Sequence, residues 1–327
     1  MTGVVEKFLV LWGMEDAHTE LVATRENHVY KVDRAGDLYA LRLHRRGLRT
    51  DAELQSELQW MAAAGEGGLQ VPNPVPTSEG AFLHVVDGIQ VDMLTWLKGE
   101  TLSAMAQKGG TIDRSGTYRA IGRAMAQLHE ISDTWTPPET FCRWAWDAEG
   151  LLGDAPIWGR FWDNPTLTAS ERALLLHLRD AALEDLNKPS AGLDFGLIHA
   201  DLVDENIVFN GQQPQLIDFD DGGFGYRLFD IAGALIKKHD WRDFDQLKQA
   251  LIAGYLQVRH IDLSALDLFM GLRAASYVGW IVTRMQEQAA HDRNRRFIDT
   301  AVIFADIYLS NRHRVTETVS ISQGNET

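Results

Sequence analysis

The spacing of apolar residues changes once along the chain, near Gly99, and this change restricts the possible folds more than any other feature. Before it, apolar and polar residues alternate in segments such as HVYKVD and LYALRL, which is typical of half-buried strands. After it, apolar residues recur at helical spacing over long stretches, which is typical of amphipathic helices. The sequence therefore predicts a sheet-rich N-terminal part followed by a mostly helical part.

The N-terminal part predicts the order strand, strand, strand, helix, strand, strand. Two turn sequences, residues 34–37 and the pair Asp87-Gly88, each separate two alternating segments and so predict hairpins. Between them, Thr50 and Glu53 have the spacing of a capping box, which marks the start of a helix. Together these signals predict a small antiparallel sheet with one helix.

The remainder of the chain predicts helices, of which the clearest lie near residues 170–188, 228–239, 243–257, 263–287 and 292–312. The helical pattern is interrupted by IVFN and QLIDF on either side of Asn210-Gly211, a third hairpin sequence. We therefore predict an α+β fold. We expect a sheet-containing lobe over residues 1–97, a larger helical lobe over 98–312 and a polar tail over 313–327.

Charge and composition disfavour several classes of partner. The formal net charge is −15, whereas nucleic acids and anionic membranes are bound by basic surfaces. No segment approaches the roughly 20 apolar residues of a membrane span, and the first residues lack the basic start and cleavage site of a signal peptide. We expect a cytoplasmic protein that binds neither nucleic acid nor membrane. The sequence gives no indication of the oligomeric state.

The candidate chemistry lies around the third hairpin, in the segment HADLVDENIVFNGQQPQLIDFDD. If residues 207–209 pair with 215–217, then Asn206 and Asp218 flank the open end of the hairpin on strands about 4.8 Å apart. An amide oxygen and a carboxylate at that separation are suited to share one hard cation such as Mg²⁺.

Asp201 lies in the loop that leads into this hairpin, five residues before Asn206. From there its carboxylate is able to orient the hydroxyl that attacks a phosphoryl group, while the metal ligands neutralise phosphate charge. Asp220 and Asp221 extend the acidic run after Asp218. Solvated surface is the favoured interpretation of Asp220, with a second metal site as the alternative.

HADLVDENIVF and LIDFDD resemble the H-G-D-x-x-x-x-N and I-D motifs of the aminoglycoside phosphotransferase and choline kinase family, relatives of the protein kinases. The resemblance extends from about Arg25 to Ala234, and the length and layout are also similar to those of the bacterial stress-response kinase group. It implies a bilobal protein-kinase-like fold and transfer of phosphate from ATP with Mg²⁺. By this match Asp201 is the catalytic base, and Asn206 and Asp218 are the Mg²⁺ ligands.

Two further features follow from the same resemblance. Ala200 stands where the family often has glycine, which leaves the chemistry unchanged. The segment LFDIAGAL matches the family's D-L-A segment, which implies that His199 and Asp230 hold the catalytic loop in place, Asp230 by accepting hydrogen bonds from the backbone near His199. An ordinary helix cap is the alternative interpretation of Asp230.

The resemblance also implies that the N-terminal lobe binds ATP. Ala40 and Arg42 share one face of a strand, and they match the kinase pattern of a small residue at adenine and a cation at the phosphates. That cation is usually lysine, and Lys31 on the preceding strand competes with Arg42 for the role. Glu57 matches the ion-pair partner of the cation, with Glu53, one turn earlier, as the alternative.

The remaining nucleotide-binding predictions rest on the resemblance alone. Asn27 is the best match within the loop Thr24–His28, which contains no glycine although it occupies the place of the glycine-rich phosphate cover. Thr95 and Leu97 lie on the segment that matches the hinge, whose backbone groups contact adenine.

Three functions remain open at this point. The first is a small-molecule O-phosphotransferase acting on an amino alcohol, a hydroxy amino acid or an aminoglycoside-like hydroxyl. The others are a protein Ser/Thr kinase of the stress-response type and a nucleotide-binding pseudokinase. Only eleven residues lie between Asp218 and Asp230, which is short for the activation loop of a protein kinase and favours a small acceptor.

Aromatic residues are concentrated between positions 141 and 162. Such a cluster is able to form a box for a cationic headgroup, because ring faces attract quaternary ammonium. Core packing of an extra helical hairpin is the favoured interpretation.

Overall fold

The computed structural model describes residues 5–24, 27–108, 113–188, 192–211 and 213–324. Its contacts divide the chain into two compact units, which are described separately. The first unit comprises Met1–Arg143, Asp201–Gly222 and Ala250–Arg259, and the second comprises Trp144–Ala200, Gly223–Gln249 and His260–Thr327.

The strands of the described residues are, in chain order, β1 (His18–Thr24), β2 (Asn27–Arg34), β3 (Asp37–His44), β4 (Leu83–Val86), β5 (Ile89–Thr95), β6 (Glu100–Thr101), β7 (Ala145–Trp146), β8 (Phe195–Ile198), β9 (Ile207–Phe209), β10 (Pro214–Leu216) and β11 (Gly223–Tyr226). The α-helices are α1 (Glu6–Leu9), α2 (Asp51–Glu66), α3 (Leu102–Gln107), α4 (Arg114–Thr134), α5 (Ala148–Leu152), α6 (Ala169–Leu186), α7 (Arg227–Ile236), α8 (Phe244–Tyr255), α9 (Leu266–Trp280) and α10 (Ala290–Gly324).

The first unit contains a five-stranded antiparallel sheet in the order β1-β2-β3-β5-β4. Both predicted hairpins are confirmed, since Arg34 pairs with Asp37 and Val86 pairs with Ile89. The predicted capping box is also present, because the Thr50 hydroxyl accepts from the N–H of Glu53 while the Glu53 carboxylate accepts from the N–H of Thr50. These local signals position α2 directly after β3.

The two faces of this sheet differ in chemistry. On one face, Val32, Leu41 and Met93 are fully buried against Phe8 and Leu9 of α1. Burial of an apolar side chain of this size contributes about 1.5–3 kcal/mol. This face therefore anchors the sheet.

The opposite face carries charged residues. Side chains alternate along a strand, so cross-strand partners share a face. Lys31 of β2 is the partner of Ala40, and Asp92 of β5 is the partner of Arg42. The predicted nucleotide-binding residues of β3 thus lie on the face turned away from α1.

The third predicted hairpin is formed by β9 and β10, with Leu216 opposite Ile207 and Pro214 opposite Phe209. β10 begins one residue earlier than predicted, because Pro214 starts an edge strand, where its missing N–H breaks no ladder bond. The short β6, which the sequence analysis missed, pairs with the other side of β9. A Cβ atom at Gly99 would lie 2.6 Å from the carbonyl oxygen of Phe209, so this close pairing requires glycine.

The second unit contains the three-stranded sheet β7-β11-β8 together with helices that include α6, α7, α9 and α10. Its aromatic residues pack as a core: Trp146 is fully buried, meets Trp158 edge to face at 5.3 Å and stacks on Phe229 at 5.5 Å. Phe161 and Trp162 are buried as well. Core packing, the favoured interpretation of the aromatic cluster, accounts for these residues of the second unit.

The predicted α+β class is confirmed, and each predicted helix is present. The final helix continues through the polar tail to Gly324. The proposed lobe boundary at residue 97 stays a prediction. Within the described residues, no helix is both long and apolar enough to cross a membrane.

Candidate active site

Asp201 and Asn206 are held together by the side chain of Asn206. Its amide nitrogen donates to the backbone carbonyl of Asp201 and to the Asp201 carboxylate, both at 3.0 Å. A short 3₁₀ helix over Asp204–Asn206 brings the two residues together. Because the side-chain nitrogen of Asn206 faces Asp201, the side-chain oxygen of Asn206 points away from Asp201. This oxygen carries partial negative charge and is able to bind a cation.

Asp218 lies beside Asn206 at the open end of the hairpin. The N–H of Ile217 donates to the carbonyl of Asn206 at 3.0 Å, and the chain then turns at Asp218, whose φ is 67°. A left-handed conformation is uncommon for a residue other than glycine, although Asp tolerates it better than most. The turn directs the side chain of Asp218 outward, where it is exposed.

Asp218 is the first residue of a segment that we call the acid loop, Asp218–Gly222. Although the Asp218 side chain is accessible, crowding by protein removes part of its hydration and raises the pKa of its carboxyl. The negative charges of Asp220, Asp201 and Glu57 raise this pKa further, and the positive charge of Arg42 opposes them only in part.

The pKa of the Asp221 carboxyl is raised as well. Burial raises the pKa of Asp221, as do the charges of Asp201, Asp220 and Asp218, whereas Arg49 opposes the shift. The acid loop and Asp201 therefore form a region of excess negative charge that Arg49 balances only in part, and a bound cation would relieve the repulsion.

The donors present fit a Mg²⁺ ion that is shared with phosphate. Asn206 and Asp218 carry hard oxygen atoms of the kind that Mg²⁺ prefers as ligands. Across the part of the chain that the structure describes, no group of three or more His, Cys, Asp and Glu side chains forms a closed metal cage. Mg²⁺ is commonly held by one or two carboxylates together with substrate phosphates, so an incomplete protein ligand set suits it.

The favoured interpretation of Asp220 as solvated surface is wrong. Asp220 is 9% exposed, and its carboxylate accepts from Nε and Nη2 of Arg49 at 3.3 and 3.2 Å. Burial of a carboxylate requires a partner, and Arg49 supplies it from the loop before α2. No motif in the sequence marks Arg49.

Arg42, His44, Glu57 and Asp92 form a second cluster, which we call the sheet network. The guanidinium of Arg42 donates from Nε and Nη2 to Asp92 at 2.8 and 2.9 Å and from Nη1 to Glu57 at 2.7 Å. All three side chains are buried. The forked pairing with Asp92 fixes the plane of the guanidinium, as bidentate arginine–carboxylate pairs do.

His44 extends this network towards the start of β2. Its Nε2 lies 2.6 Å from Asp92, and its Nδ1 lies 3.1 Å from the amide oxygen of Asn27. Burial by itself would raise the pKa of Asp92, but Arg42 and His44 outweigh burial and lower it to about 2. Neither Asp92 nor His44 was predicted as a site residue from the sequence.

The structure distinguishes the two candidates for the partner of Arg42. Glu53 is engaged in the capping box, with its carboxylate 2.7 Å from the N–H of Thr50. Glu57, one turn later, makes the ion pair with Arg42. Lys31 lies on the same sheet face, and its ammonium is 5.5 Å from the ring centroid of Trp96.

Of the predicted hinge residues, Thr95 is the last residue of β5 and Leu97 follows the strand. The hydroxyl of Thr95 accepts from the N–H of Asn73 at 2.9 Å, and the half-buried Leu97 follows two residues later. The side-chain amide of Gln215 donates to the carbonyl of Lys98 at 2.7 Å, which ties this segment to β10. Of the predicted phosphate cover, Asn27 and Thr24 are described, whereas Arg25 and Glu26 lie outside the described residues.

In the second unit, Asp230 holds the residues that precede Asp201 in the chain. Its carboxylate accepts from the N–H of His199 at 2.8 Å and from that of Ala200 at 2.6 Å. Ala200 has a φ of 63°, a conformation in which glycine is favoured. Asp230 is fully buried and lies in the first turn of α7, so it has the hydrogen bonds that the resemblance implies.

A model of the phosphotransferase enzyme family matches residues 18–269. The chain belongs to this family. It has the kinase-like fold of the family, and it is a phosphotransferase whose acceptor is an alcohol group.

Three similar proteins illustrate the range of the family. A homoserine kinase from Sinorhizobium fredii is 26% identical over 277 residues, which are 80% of this chain and 76% of that protein. The solved structure of a microcompartment-associated aminopropanol kinase has a TM-score of 0.81 and 28% identity, and the match covers 95% of this chain and 98% of that one. The amicoumacin kinase hAmiN, in complex with AMP-PNP, Ca²⁺ and Ami, has a TM-score of 0.73 at 18% identity and 92% coverage of both chains, and this likeness concerns the fold.

Proposed function

We propose that this phosphotransferase moves the γ-phosphate of ATP, with Mg²⁺, to the hydroxyl of a small amine-bearing molecule such as an amino alcohol or a hydroxy amino acid. The observation that carries the proposal is the arrangement of Asp201, Asn206 and Asp218 around one hairpin, with Asn206 bonded to Asp201 and adjacent to Asp218 across the strands. An aminoglycoside-like hydroxyl compound is the larger acceptor of the same class.

Asp201 acts on the acceptor in this proposal. Its carboxylate orients the attacking hydroxyl and accepts its proton, the role that a carboxylate fulfils in kinase-type phosphoryl transfer. The two hydrogen bonds from Asn206 restrict the orientation of Asp201, so the carboxylate needs little reorganisation when the acceptor binds. Asp230 fixes the backbone directly before Asp201, because its carboxylate accepts hydrogen bonds from the N–H groups of His199 and Ala200.

Asn206 and Asp218 would hold Mg²⁺, which when bound neutralises charge on the phosphates. Asn206 directly precedes β9 and Asp218 follows β10 by two residues, so the pairing of these strands keeps the two backbones near one another. The excess of negative charge in the acid loop favours occupancy by a divalent cation.

We assign the nucleotide to the face of the five-stranded sheet that carries Ala40 and Arg42 and is turned away from α1. Arg42 is the phosphate cation in this assignment, and Glu57 and Asp92 fix its direction. Ala40 would lie under adenine, with the backbone at Thr95 and Leu97 as the hinge and Asn27 over the phosphates. Lys31 is the alternative cation, because it lies on the same face and has a contact only with an aromatic ring among the described residues.

A small acceptor is supported by the chain and by its relatives. Eleven residues between Asp218 and Asp230 provide little length for a peptide-binding activation segment. Two of the similar proteins are named for homoserine and aminopropanol, both small hydroxyl compounds that carry an amine. A net charge of −15 favours a cationic acceptor over an anionic one.

An ADP-release assay over a panel of acceptors tests the proposal. The panel contains aminopropanol, homoserine, choline, an aminoglycoside and a generic protein substrate, each measured with Mg²⁺ and with EDTA. We expect release that depends on Mg²⁺ and on one of the small amine-bearing alcohols. Release with the protein substrate alone would instead identify a protein kinase, and nucleotide binding without release for any acceptor would identify a pseudokinase.

A further inference from the structure

Arg143 is a buried arginine whose role no motif assigns. Its guanidinium donates from Nε to the carbonyl of Gly222 at 2.6 Å and from Nη2 to the carbonyls of Phe219 and Asp220 at 3.0 and 2.6 Å. These three carbonyls belong to the acid loop. One side chain therefore binds the backbone on both sides of Asp221.

The same guanidinium reaches α2 with its remaining nitrogen. Nη1 donates to the carbonyl of Glu53 at 3.1 Å and lies 3.7 Å from Oε2 of Glu57. The side chains of Arg143 and Glu57 are both fully buried. Arg143 thus connects the helix that carries the partner of Arg42 to the loop that begins with Asp218.

Packing around the acid loop leaves little room for another arrangement. Phe219 is fully buried and meets Trp60 of α2 edge to face at 5.0 Å. A Cβ atom at Gly222 would lie 2.5 Å from the Trp60 ring. Without Arg143, the buried loop carbonyls would each lose a donor, at a cost of about 1–3 kcal/mol per group left unsatisfied. The loop conformation therefore depends on this arginine.

We propose that Arg143 is a positioning residue that sets the metal affinity of the site by tying the backbone of the acid loop to α2. This inference rests on the proposed function, since it assumes that Asp218 is a metal ligand. Arg143 itself contacts carbonyls and Glu57, and so it acts through Asp218 and not on the substrate.

Lysine is the informative replacement at this position. Arg143→Lys keeps the positive charge, but an ammonium lacks the planar fork that reaches carbonyls of Gly222, Phe219 and Glu53 together. Replacement of outer partners of metal ligands commonly weakens metal binding about 10- to 100-fold. We expect the Mg²⁺ concentration for half-maximal activity to rise within this range in Arg143→Lys, with much of kcat recovered at saturating Mg²⁺.

Arg259→Lys is the matched control. Arg259 also lies in the first unit and contacts carboxylates of Glu130 and Asp133 at 2.7 Å each, but neither acid belongs to the acid loop or the sheet network. Its replacement removes a comparable arginine and should leave the Mg²⁺ dependence unchanged. As long as both variants remain folded in the assay, a loss of stability alone leaves the half-saturating Mg²⁺ concentration unchanged, because ligand binding shifts the apparent midpoint only when unfolded protein is populated.

The experiment measures ADP release against Mg²⁺ concentration, at saturating ATP and acceptor, for the wild type and both variants. An unchanged Mg²⁺ dependence in Arg143→Lys, or an equal shift in Arg259→Lys, would overturn the inference. Failure of the wild type to release ADP with every acceptor would contradict the proposed function instead.

Amide hydrogen exchange of the wild type provides a second test if Arg143→Lys does not fold. Mg²⁺ with a non-hydrolysable ATP analogue should slow exchange in the acid loop and in the first half of α2 together. Protection of the acid loop with no change in α2 would contradict the connection through Arg143.

Discussion

The hairpin site and the sheet network differ in how their charges are balanced. Asp201, Asn206 and the acid loop lie within one stretch of chain, Asp201–Gly222, and carry excess negative charge that raises the pKa of Asp218 and Asp221. In the sheet network, Arg42 is matched by partners 15 and 50 positions away, and the pKa of Asp92 is lowered.

The difference in charge balance suits two different tasks, which are binding a cation and holding a cationic side chain in one direction. A site that must bind a cation gains from carboxylates whose charge the protein balances only in part. A cationic side chain that must keep one direction gains from buried acids on two sides, although those acids offset part of its positive potential. The comparison predicts that substitutions at the hairpin site change metal dependence, whereas substitutions in the sheet network change stability and nucleotide affinity.

Apart from substitution of the catalytic base Asp201, we expect Asp218→Asn to have the largest effect on activity. Loss of a metal ligand should lower kcat/KM at fixed Mg²⁺ at least about 100-fold, since even outer partners of ligands cost 10- to 100-fold. In the absence of metal, the variant should also melt at a higher temperature than the wild type, because the substitution removes one negative charge from a cluster of mutually repelling carboxylates. An unaltered Mg²⁺ titration, followed by ADP release, would show that Asp218 is not a ligand.

Asp92→Asn should mainly reduce stability. It removes the charge that faces both Arg42 and His44, and loss of one partner from a buried ion pair costs about 3–5 kcal/mol. Because the pKa of Asp92 is held at about 2, its contribution should be complete above pH 4 and decline as the pH falls towards 2. Urea unfolding at pH 6 and pH 3 measures this, and an equal difference between wild type and variant at both values would contradict the assigned pairing.

Glu57→Gln and Glu53→Gln separate the two acids of α2. Glu57→Gln weakens the ion pair with Arg42 and should raise the KM for ATP, with a stability loss of about 2 kcal/mol, less than for removal of a buried partner outright. Glu53→Gln preserves a capping box, in which glutamine also serves, and should change little. Steady-state kinetics at varied ATP provide the measurement; equal effects of the two substitutions would mean that the Arg42 pair is irrelevant to nucleotide binding.

Ala200→Gly should have the smallest effect. The left-handed conformation of Ala200 costs roughly 1 kcal/mol, which glycine avoids, while loss of a buried methyl group and greater freedom of the unfolded chain act in the opposite direction. The variant should therefore unfold within about 1 kcal/mol of the wild type and retain activity. A large loss of activity would mean that the Ala200 methyl group is needed to place Asp201.

Local signals predicted the parts of the molecule that depend on neighbouring residues. The capping box at Thr50, the three hairpins and the spacing from Asp201 to Asp218 all lie within short stretches, so turn chemistry and strand alternation were sufficient. The one-residue difference at Pro214 reflects the tolerance of an edge strand for a residue without an N–H.

The site residues that were not predicted have partners that are distant in the sequence. Asp92 lies opposite Arg42 only because β5 is the neighbour of β3, and this order is not visible in either strand alone. An acid inside the apolar segment VDML was nevertheless a signal, since a buried carboxylate needs a partner. Arg143 gave a similar signal as a charge within an aromatic-rich run, and Arg49 gave none.

The most direct test of the central claim compares Asp201→Asn with Glu205→Gln, an exposed acid of the same segment. For each variant, binding of Mg²⁺ and a fluorescent ATP analogue is measured beside acceptor-dependent ADP release. The account predicts that Asp201→Asn binds the nucleotide as the wild type does but loses turnover by about 10²- to 10⁴-fold, the usual contribution of a general base. Glu205→Gln should retain both properties. Full turnover in Asp201→Asn would contradict the account.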